Sequence, residues 1–443
     1  MKVDTRETGK QSTSITRVTV EGLFGRYDYA LDFNPRLAIL YGDNGTGKTT
    51  ILRMIHNLLS PGAGRGHKTA VANTPFQDFR IEFSNGTTIR ASRKKSIAGN
   101  FELFLSAPKK PSARAQFIVN DEGYIPSNGP YSDAQDALAA SIRDETSLAS
   151  YYLSDDRTLD SDFIEEEEES RVSIGRRVRY ARDSVIRDMD EPIRNSQVSS
   201  AILRTTTWAR QQALYGASEG SVSANTIYAD VVKHLAEMPR SATTEGRSST
   251  RQQLLHLIER TGNRSKDQSR FGLLPAVNTE DLVRYVPLVR AEDFPLVAGI
   301  LKPYLDGTNA RLDALESTHR ILSFFVDTLN NKFFRGKSVS FHIKSGLRIT
   351  TDDNEPLDAK LLSSGESQLL TLFCNILSAR ETPTIFVIDE PEISLNIKWQ
   401  RALVDSLLGC AEDSEIQLIL ASHSIELLTA HREHVVALNA GRE

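Results

Sequence analysis

The sequence predicts an α/β protein: a head with a mixed sheet and an added antiparallel lobe, split by a mainly helical insertion. Three observations carry this. The apolar run Leu37–Tyr41 leads into a glycine-rich loop and then into apolar residues at helical spacing, the pattern of strand, loop and helix. Alternating apolar residues over 78–92 surround Asn85-Gly86, the dipeptide of a tight hairpin turn. Between 131 and 334 the pattern shifts to helical periodicity with long polar stretches, and the α/β pattern returns over 335–443.

Taken in order, β-rich runs at 16–20, 27–33 and 37–41 predict three strands. The helix begins near Lys48, carries Ile51, Leu52, Ile55, Leu58 and Leu59, and is stopped by Ser60-Pro61-Gly62. The 78–92 hairpin follows, then strands at 101–105 and 116–119. Residues 1–130 are thus expected to form the first half of the head and 131–334 a sensor, partner or dimerisation insertion. The insertion has Gly/Ser/Thr-rich joints at 216–223 and 241–250 and an acidic run at 165–169, with Arg171, Arg176, Arg177, Arg179 and Arg182 close behind. No heptad pattern persists, which argues against a long coiled-coil arm. A second hairpin is expected around Lys344-Ser345-Gly346, opening the C-terminal half of the head at 335–443.

Composition narrows the class. Apolar residues at 39% and charged residues at 25% describe a globular chain, which excludes disordered and collagen-like proteins. No stretch approaches the roughly 20 apolar residues of a membrane span, and residues 1–14 are polar, so a cytoplasmic protein without membrane contact is expected. Cys374 and Cys410 lie in apolar helical patterns without CxxC spacing and read as core thiols. The formal charge of −5 gives no general attraction to nucleic acid, yet residues 171–290 hold 19 basic against 12 acidic residues. Such an insertion can meet DNA phosphates, although a surface helix commonly carries as much arginine.

The chemistry is concentrated in four places. Gly42-Asp43-Asn44-Gly45-Thr46-Gly47-Lys48-Thr49 fits G-x-x-x-x-G-K-[ST] between a strand and a helix. Its glycines let backbone N–H groups curl around phosphate oxygens at a helix N-terminus, where the dipole adds positive potential. Asn44, Gly45, Gly47, Lys48, Thr49 and Thr50 are the expected nucleotide-binding residues, with Lys48 on the β- and γ-phosphates and the Thr49 hydroxyl on Mg²⁺. A buried strand ending in Asp389-Glu390 places Asp389 to hold Mg²⁺ and Glu390 to polarise the attacking water. Leu362-Ser363-Ser364-Gly365-Glu366 opens an apolar helix and offers a second anion site at its N-terminus. Ala421-Ser422-His423-Ser424 follows another apolar strand.

In this order the four motifs resemble the ATP-binding cassette (ABC) ATPases over about residues 14–60 and 335–430. The resemblance implies ATP and Mg²⁺ as ligands, Lys48, Glu390 and His423 in catalysis, and Ser363 and Gly365 gripping the γ-phosphate held by a second subunit. His423 matches the switch histidine, residues 391–396 the loop that crosses the dimer, and the glutamine lid is either Gln77 or Gln116. Ser364 and Glu366 depart from the commoner Gly and Gln, as in the SMC, RecF and OLD-like branch. Only 54 residues follow Asp389, too few for the nuclease domain of OLD proteins. Asp160-x-Asp162 and Asp188-x-Asp190 lack the strand context of a nuclease metal site. The chain therefore looks like the stand-alone ATPase subunits of the PARIS (AriA) and Septu (PtuA) anti-phage systems. That likeness implies a homodimer or higher oligomer, a separate nuclease or toxin effector, and DNA or a phage protein as trigger. The alternative expectation is a RecF-like recombination or repair ATPase. A GTP switch fits less well, because Asn331-Lys332-Phe333-Phe334 lacks the Asp that reads guanine.

Overall fold

The structure is a computed structural model that describes residues 13–60, 66–94, 96–108, 110–155, 159–161, 197–216 and 247–438. The chain divides into two compact units. The first is Met1–Gln197, Ser363–Leu372 and Ile376–Glu443; the second is Val198–Leu362 with Phe373–Asn375. The acidic run at 165–169, the arginines at 171–182, Asp162 and Asp188-x-Asp190 lie outside the described residues, as does most of both joints. Asp160, expected without strand context, instead lies in a short strand, Leu159–Ser161, because its backbone pairs with Tyr152.

In the first unit, β1 (Ile15–Leu23), β2 (Tyr27–Asp32), β4 (Asp78–Phe83), β5 (Thr88–Ser92), β6 (Phe101–Ala107) and β7 (Lys110–Phe117) form an antiparallel sheet in the order β2-β1-β4-β5-β6-β7. The last of these corrects the expected strand at 116–119: pairing with β6 begins at Lys110 and ends at Phe117. The second sheet has the order β15-β3-β14-β13-β8-β9, from β3 (Leu37–Tyr41), β8 (Ala149–Leu153), β9 (Leu159–Ser161), β13 (Thr384–Asp389), β14 (Ile416–Ala421) and β15 (Val435–Ala437). Its pairings are parallel except β8 with β9. Strands β8, β13 and β14 are buried along their whole length, as a parallel sheet covered on both faces requires.

One apolar cluster serves both sheets: Val18, Phe79 and Ile81 from the first and Leu40, Val387 and Ile419 from the second pack with Ile51, Leu52, Ile55 and Leu58 of the helix Lys48–Leu59. Gln417, buried in β14, secures their junction. Its Nε2 donates to the Ile15 and Asn34 carbonyls at 2.8 and 2.9 Å, and its Oε1 accepts from Ile15 N–H at 2.8 Å. A buried amide satisfied in this way stabilises the junction without the cost of an unpaired polar group.

The limits at 130/131 and 334/335 are not where the units part. Strand β8 pairs residue for residue with β13, so the first unit extends past 130. The hairpin β10 (Lys337–His342) with β11 (Gly346–Thr351), joined by β12 (Pro356–Leu357), groups with the second unit. There the helices Arg247–Ser269 and Phe294–Ala314 enclose a core of Leu254, Ile258, Val286, Phe294 and Leu305. Both cysteines are buried, and desolvation pushes the Cys374 thiol up to about 12, which keeps it protonated and inert.

Candidate functional site

The loop after β3 is shaped by two left-handed residues, Gly45 at φ +82° and Gly47 at φ +94°. The φ of Gly47 favours glycine by itself, and a β-carbon there would come within 2.7 Å of Leu23 Cδ2, so that side chain would also have to shift. The Thr46 hydroxyl donates to Asp43 O at 2.8 Å, and Tyr29 OH donates to Thr46 O at 2.9 Å, anchoring the loop to β2. Asn44 and Gly45 are exposed, while Thr49 and Thr50 are half-buried in the first helical turn. Lys48 is only 6% exposed, and its ammonium donates to Gly42 O at 2.8 Å and Asp43 O at 3.1 Å. Burial lowers its pKa, opposed by the charges of Glu390, Asp389 and Asp43, which places these four groups in one electrostatic field.

Asp389 ends β13 at 2% exposure, and burial pushes its pKa up to about 6 against the opposing hydrogen bond from the Thr49 hydroxyl. Its Oδ2 accepts from Tyr152 OH at 3.4 Å, and that phenol accepts from Arg53 Nε at 3.1 Å. The other oxygen, Oδ1, is buried with no hydrogen-bond partner among the described residues. A buried carboxylate with one uncompensated oxygen, beside a threonine hydroxyl, suits a hard divalent cation with oxygen ligands. Thr49 and Asp389 therefore fit Mg²⁺.

The raised pKa has a consequence for stability. Between pH 3.8 and about 6 the folded chain keeps a proton on Asp389 that the unfolded chain has lost. Its contribution is thus fully present below the lower value and is lost as pH rises through the upper one. Above pH 6 the bare carboxylate costs up to about 3 kcal/mol. Asp389→Asn is expected to make the nucleotide-free protein more stable at pH 8, by less at pH 5, while removing Mg²⁺-dependent nucleotide binding. Urea unfolding at the two pH values measures the first effect; no gain at pH 8 would contradict it.

Glu390 adopts φ +47°, a left-handed conformation that costs a non-glycine residue about 1 kcal/mol or more, and its N–H donates to Ala421 O at 2.9 Å. The next loop and the 421–424 segment are joined by Glu392. Its Oε1 accepts from Ser422 Oγ at 2.7 Å, His423 N–H at 2.8 Å and Ser424 N–H at 3.0 Å. The His423 backbone is therefore fixed while the residue stays exposed. Sequence reasoning missed Glu392, Tyr152 and Tyr29, because nothing in the local pattern around each one sets it apart. Asn396, expected within the dimer-crossing loop, here caps the helix Ile397–Cys410 by accepting from Trp399 N–H at 3.1 Å.

Ser363 and Gly365 belong to a second grouping. Ser363 N–H donates to Glu366 Oε2 at 2.8 Å, and Glu366 N–H makes a longer 3.4 Å contact to Ser363 Oγ, a reciprocal cap on the helix Ser364–Ser378. This gives a physical reason for Glu at 366. Gly365 is buried, and a β-carbon there would lie 2.9 Å from Ser394 O and 3.3 Å from the Trp399 ring. Ser363 and Ser364 remain exposed at the tip. Of the two glutamines, Gln77 packs against Gly22 on β1, the strand whose Leu23 covers Gly47, whereas Gln116 lies on the outer strand β7.

Residues 37–429 match the family described as "AAA domain, putative AbiEii toxin, Type IV TA system". An ABC transporter ATP-binding protein of Pyrococcus abyssi is 27% identical over 172 residues, 33% of this chain and 64% of that protein. The DNA replication and repair protein RecF of Pseudomonas paraeruginosa is 44% identical over 57 residues, covering 13% of this chain and 15% of RecF. The chain thus spans less than two thirds of the length of either relative. Among solved structures, the Smc head domain of Pyrococcus furiosus, bound to the C-terminal domain of ScpA, aligns over 94% of this chain and 92% of its own. It does so at 12% identity and a TM-score of 0.39.

Proposed function

The chain belongs to the AAA-domain family matched by residues 37–429, and on that premise we propose that it binds and hydrolyses ATP as the regulatory ATPase of an anti-phage defence system. The observation that carries the chemistry is the convergence of Lys48, Asp389 and Glu390 on one phosphate loop, with the Thr49 hydroxyl close enough to Asp389 to oppose the rise of its pKa. The family's toxin–antitoxin description supports the defence role; a separate nuclease or toxin as effector, DNA or a phage protein as trigger, and a cytoplasmic setting complete the proposal. Among the described residues no helix is long and apolar enough to cross a membrane.

In the proposed mechanism Lys48 leaves the Gly42 and Asp43 carbonyls and transfers its donors to the β- and γ-phosphates, while the loop N–H groups bind the remaining oxygens. Mg²⁺, when bound by Thr49 and Asp389, neutralises phosphate charge. Glu390 accepts a proton from the attacking water, and His423, held by its backbone on Glu392, hydrogen-bonds the γ-phosphate. Gln77 is the lid glutamine. The exposed Ser363 tip of a second copy closes each nucleotide from the far side, and slow turnover times the release or activation of the effector.

Light scattering of the Glu390→Gln protein tests the closed pair: ATP with Mg²⁺ is expected to double the mass. Ser363→Glu, which sets a negative charge against the phosphate, is expected to prevent doubling and lower turnover roughly 100-fold while nucleotide still binds. A single-copy mass in ATP, or unaltered turnover in Ser363→Glu, would refute the two-sided grip. The RecF match favours a second reading, a recombination or repair ATPase. Stimulation of turnover by duplex DNA alone, with no associated effector, would select it.

A further inference from the structure

The geometry points to a zinc site formed by His56, His67 and Asp160, separate from the nucleotide pocket. The two imidazoles are 2% and 4% exposed, and one donor atom from each of the three residues falls within 4.8 Å of the others. His56 Nε2 stands 3.7 Å from Asp160 Oδ2. Ligands on a tetrahedral zinc at about 2.0–2.2 Å stand roughly 3.3–3.6 Å apart, so closing the gaps by at most about 1.5 Å brings the three donors into coordination. The histidine rings meet edge to face with centroids 5.3 Å apart.

The outer contacts suit coordination. His67 Nδ1 lies 2.9 Å from Asn57 Oδ1, an oxygen that only accepts, so Nδ1 carries the proton and Nε2 presents its lone pair. His56 Nδ1 is 2.8 Å from Ser150 Oγ, which holds that ring by its far nitrogen as well. Ser60 Oγ, at 3.5 Å from His56 Nε2, makes only a long contact that a metal would replace. Lys68 Nζ donates to Asn57, Leu58 and Ser60 carbonyls at 2.7, 3.0 and 3.1 Å, fixing the helix end that carries His56 and Asn57. Two imidazoles and one carboxylate are borderline donors that suit zinc, unlike the oxygen donors Thr49 and Asp389.

The site has a structural purpose in the fold. Asp160 sits on β9, a three-residue strand at the edge of the parallel sheet, held by one antiparallel partner. His56 closes the helix that follows the phosphate loop, and its ring stacks on Tyr152 at 5.6 Å. Zinc on these residues clips the edge strand to that helix beneath the tyrosine that contacts Asp389. The ligands are too scattered, at 56, 67 and 160, to form any local motif.

The full chain, stripped with EDTA and dialysed, is titrated with ZnCl₂ without nucleotide, and retained metal is counted by elemental analysis. One zinc per chain is expected, with a higher melting temperature, and Co²⁺ in its place should give the intense visible absorption of a tetrahedral site. His67→Gln and Asp160→Asn are each expected to weaken binding by at least about 10-fold. Asn57→Ala keeps all three ligands and is expected to weaken it by about 10-fold or more, which decides the matter if His67→Gln fails to fold. Asp389→Asn should bind zinc like the wild type. Less than one zinc in the wild type, unchanged binding in Asp160→Asn and Asn57→Ala, or loss in Asp389→Asn instead would overturn the site.

Discussion

Replacing Lys48 with Ala is expected to weaken ATP binding by roughly 100-fold or more while leaving the folded chain intact. The ammonium is buried and spends its donors on the carbonyls of Gly42 and Asp43. Its pKa is already lowered by desolvation, so the charge gains little for the nucleotide-free fold. Phosphate oxygens are stronger acceptors than carbonyls, and each charge-assisted hydrogen bond is worth about 1.5–3 kcal/mol, so two of them account for the factor. Titration with a fluorescent ATP analogue reads the affinity, and thermal unfolding without nucleotide reads the fold. An ATP-induced rise in melting temperature equal to that of the wild type would show that Lys48 is not the phosphate ligand.

Glu390→Gln is expected to bind ATP with near wild-type affinity and to lower turnover by roughly 10²–10⁴-fold. The substitution keeps the shape of the side chain and removes only its ability to take a proton, the usual scale of loss for a general base. The left-handed backbone at 390 constrains Gln and Glu alike, so the variant isolates proton transfer from strain. Single-turnover release of phosphate measures the effect. A rate within a few-fold of the wild type would move the base elsewhere, with His423 the next group to change. Because the Gln variant holds its nucleotide, it is also the form in which pairing and effector association are best observed.

The local elements were legible because each depends on a few neighbouring residues. Leu37–Tyr41 and the helix from Lys48 to Leu59 appear where the apolar pattern and the loop glycines place them, since Gly45 and Gly47 supply the left-handed turns. The hairpin at Asn85-Gly86 and the strand ending at Asp389 follow from the same short-range constraints. The Ser363–Glu366 cap is equally local, a serine three residues before a glutamate.

Short-range pattern therefore accounts for the strands, turns and loops that bear the four motifs. The tertiary structure alone decided which distant pieces meet. Ala149–Leu153 is five residues long and sits in polar surroundings, so its place beside β13 was set by burial on both faces of the sheet, not by period. That pairing moved the unit limits and set Tyr152 against Asp389. Glu392 reaching the 422–424 segment, Gln417 tying β14 to β1, and Asp160 arriving beside His56 are contacts across 30 to more than 400 positions. The reason is physical: hydrogen bonding along the backbone repeats over a few residues and leaves a local trace, whereas long-range contacts are selected by the packing of the whole core.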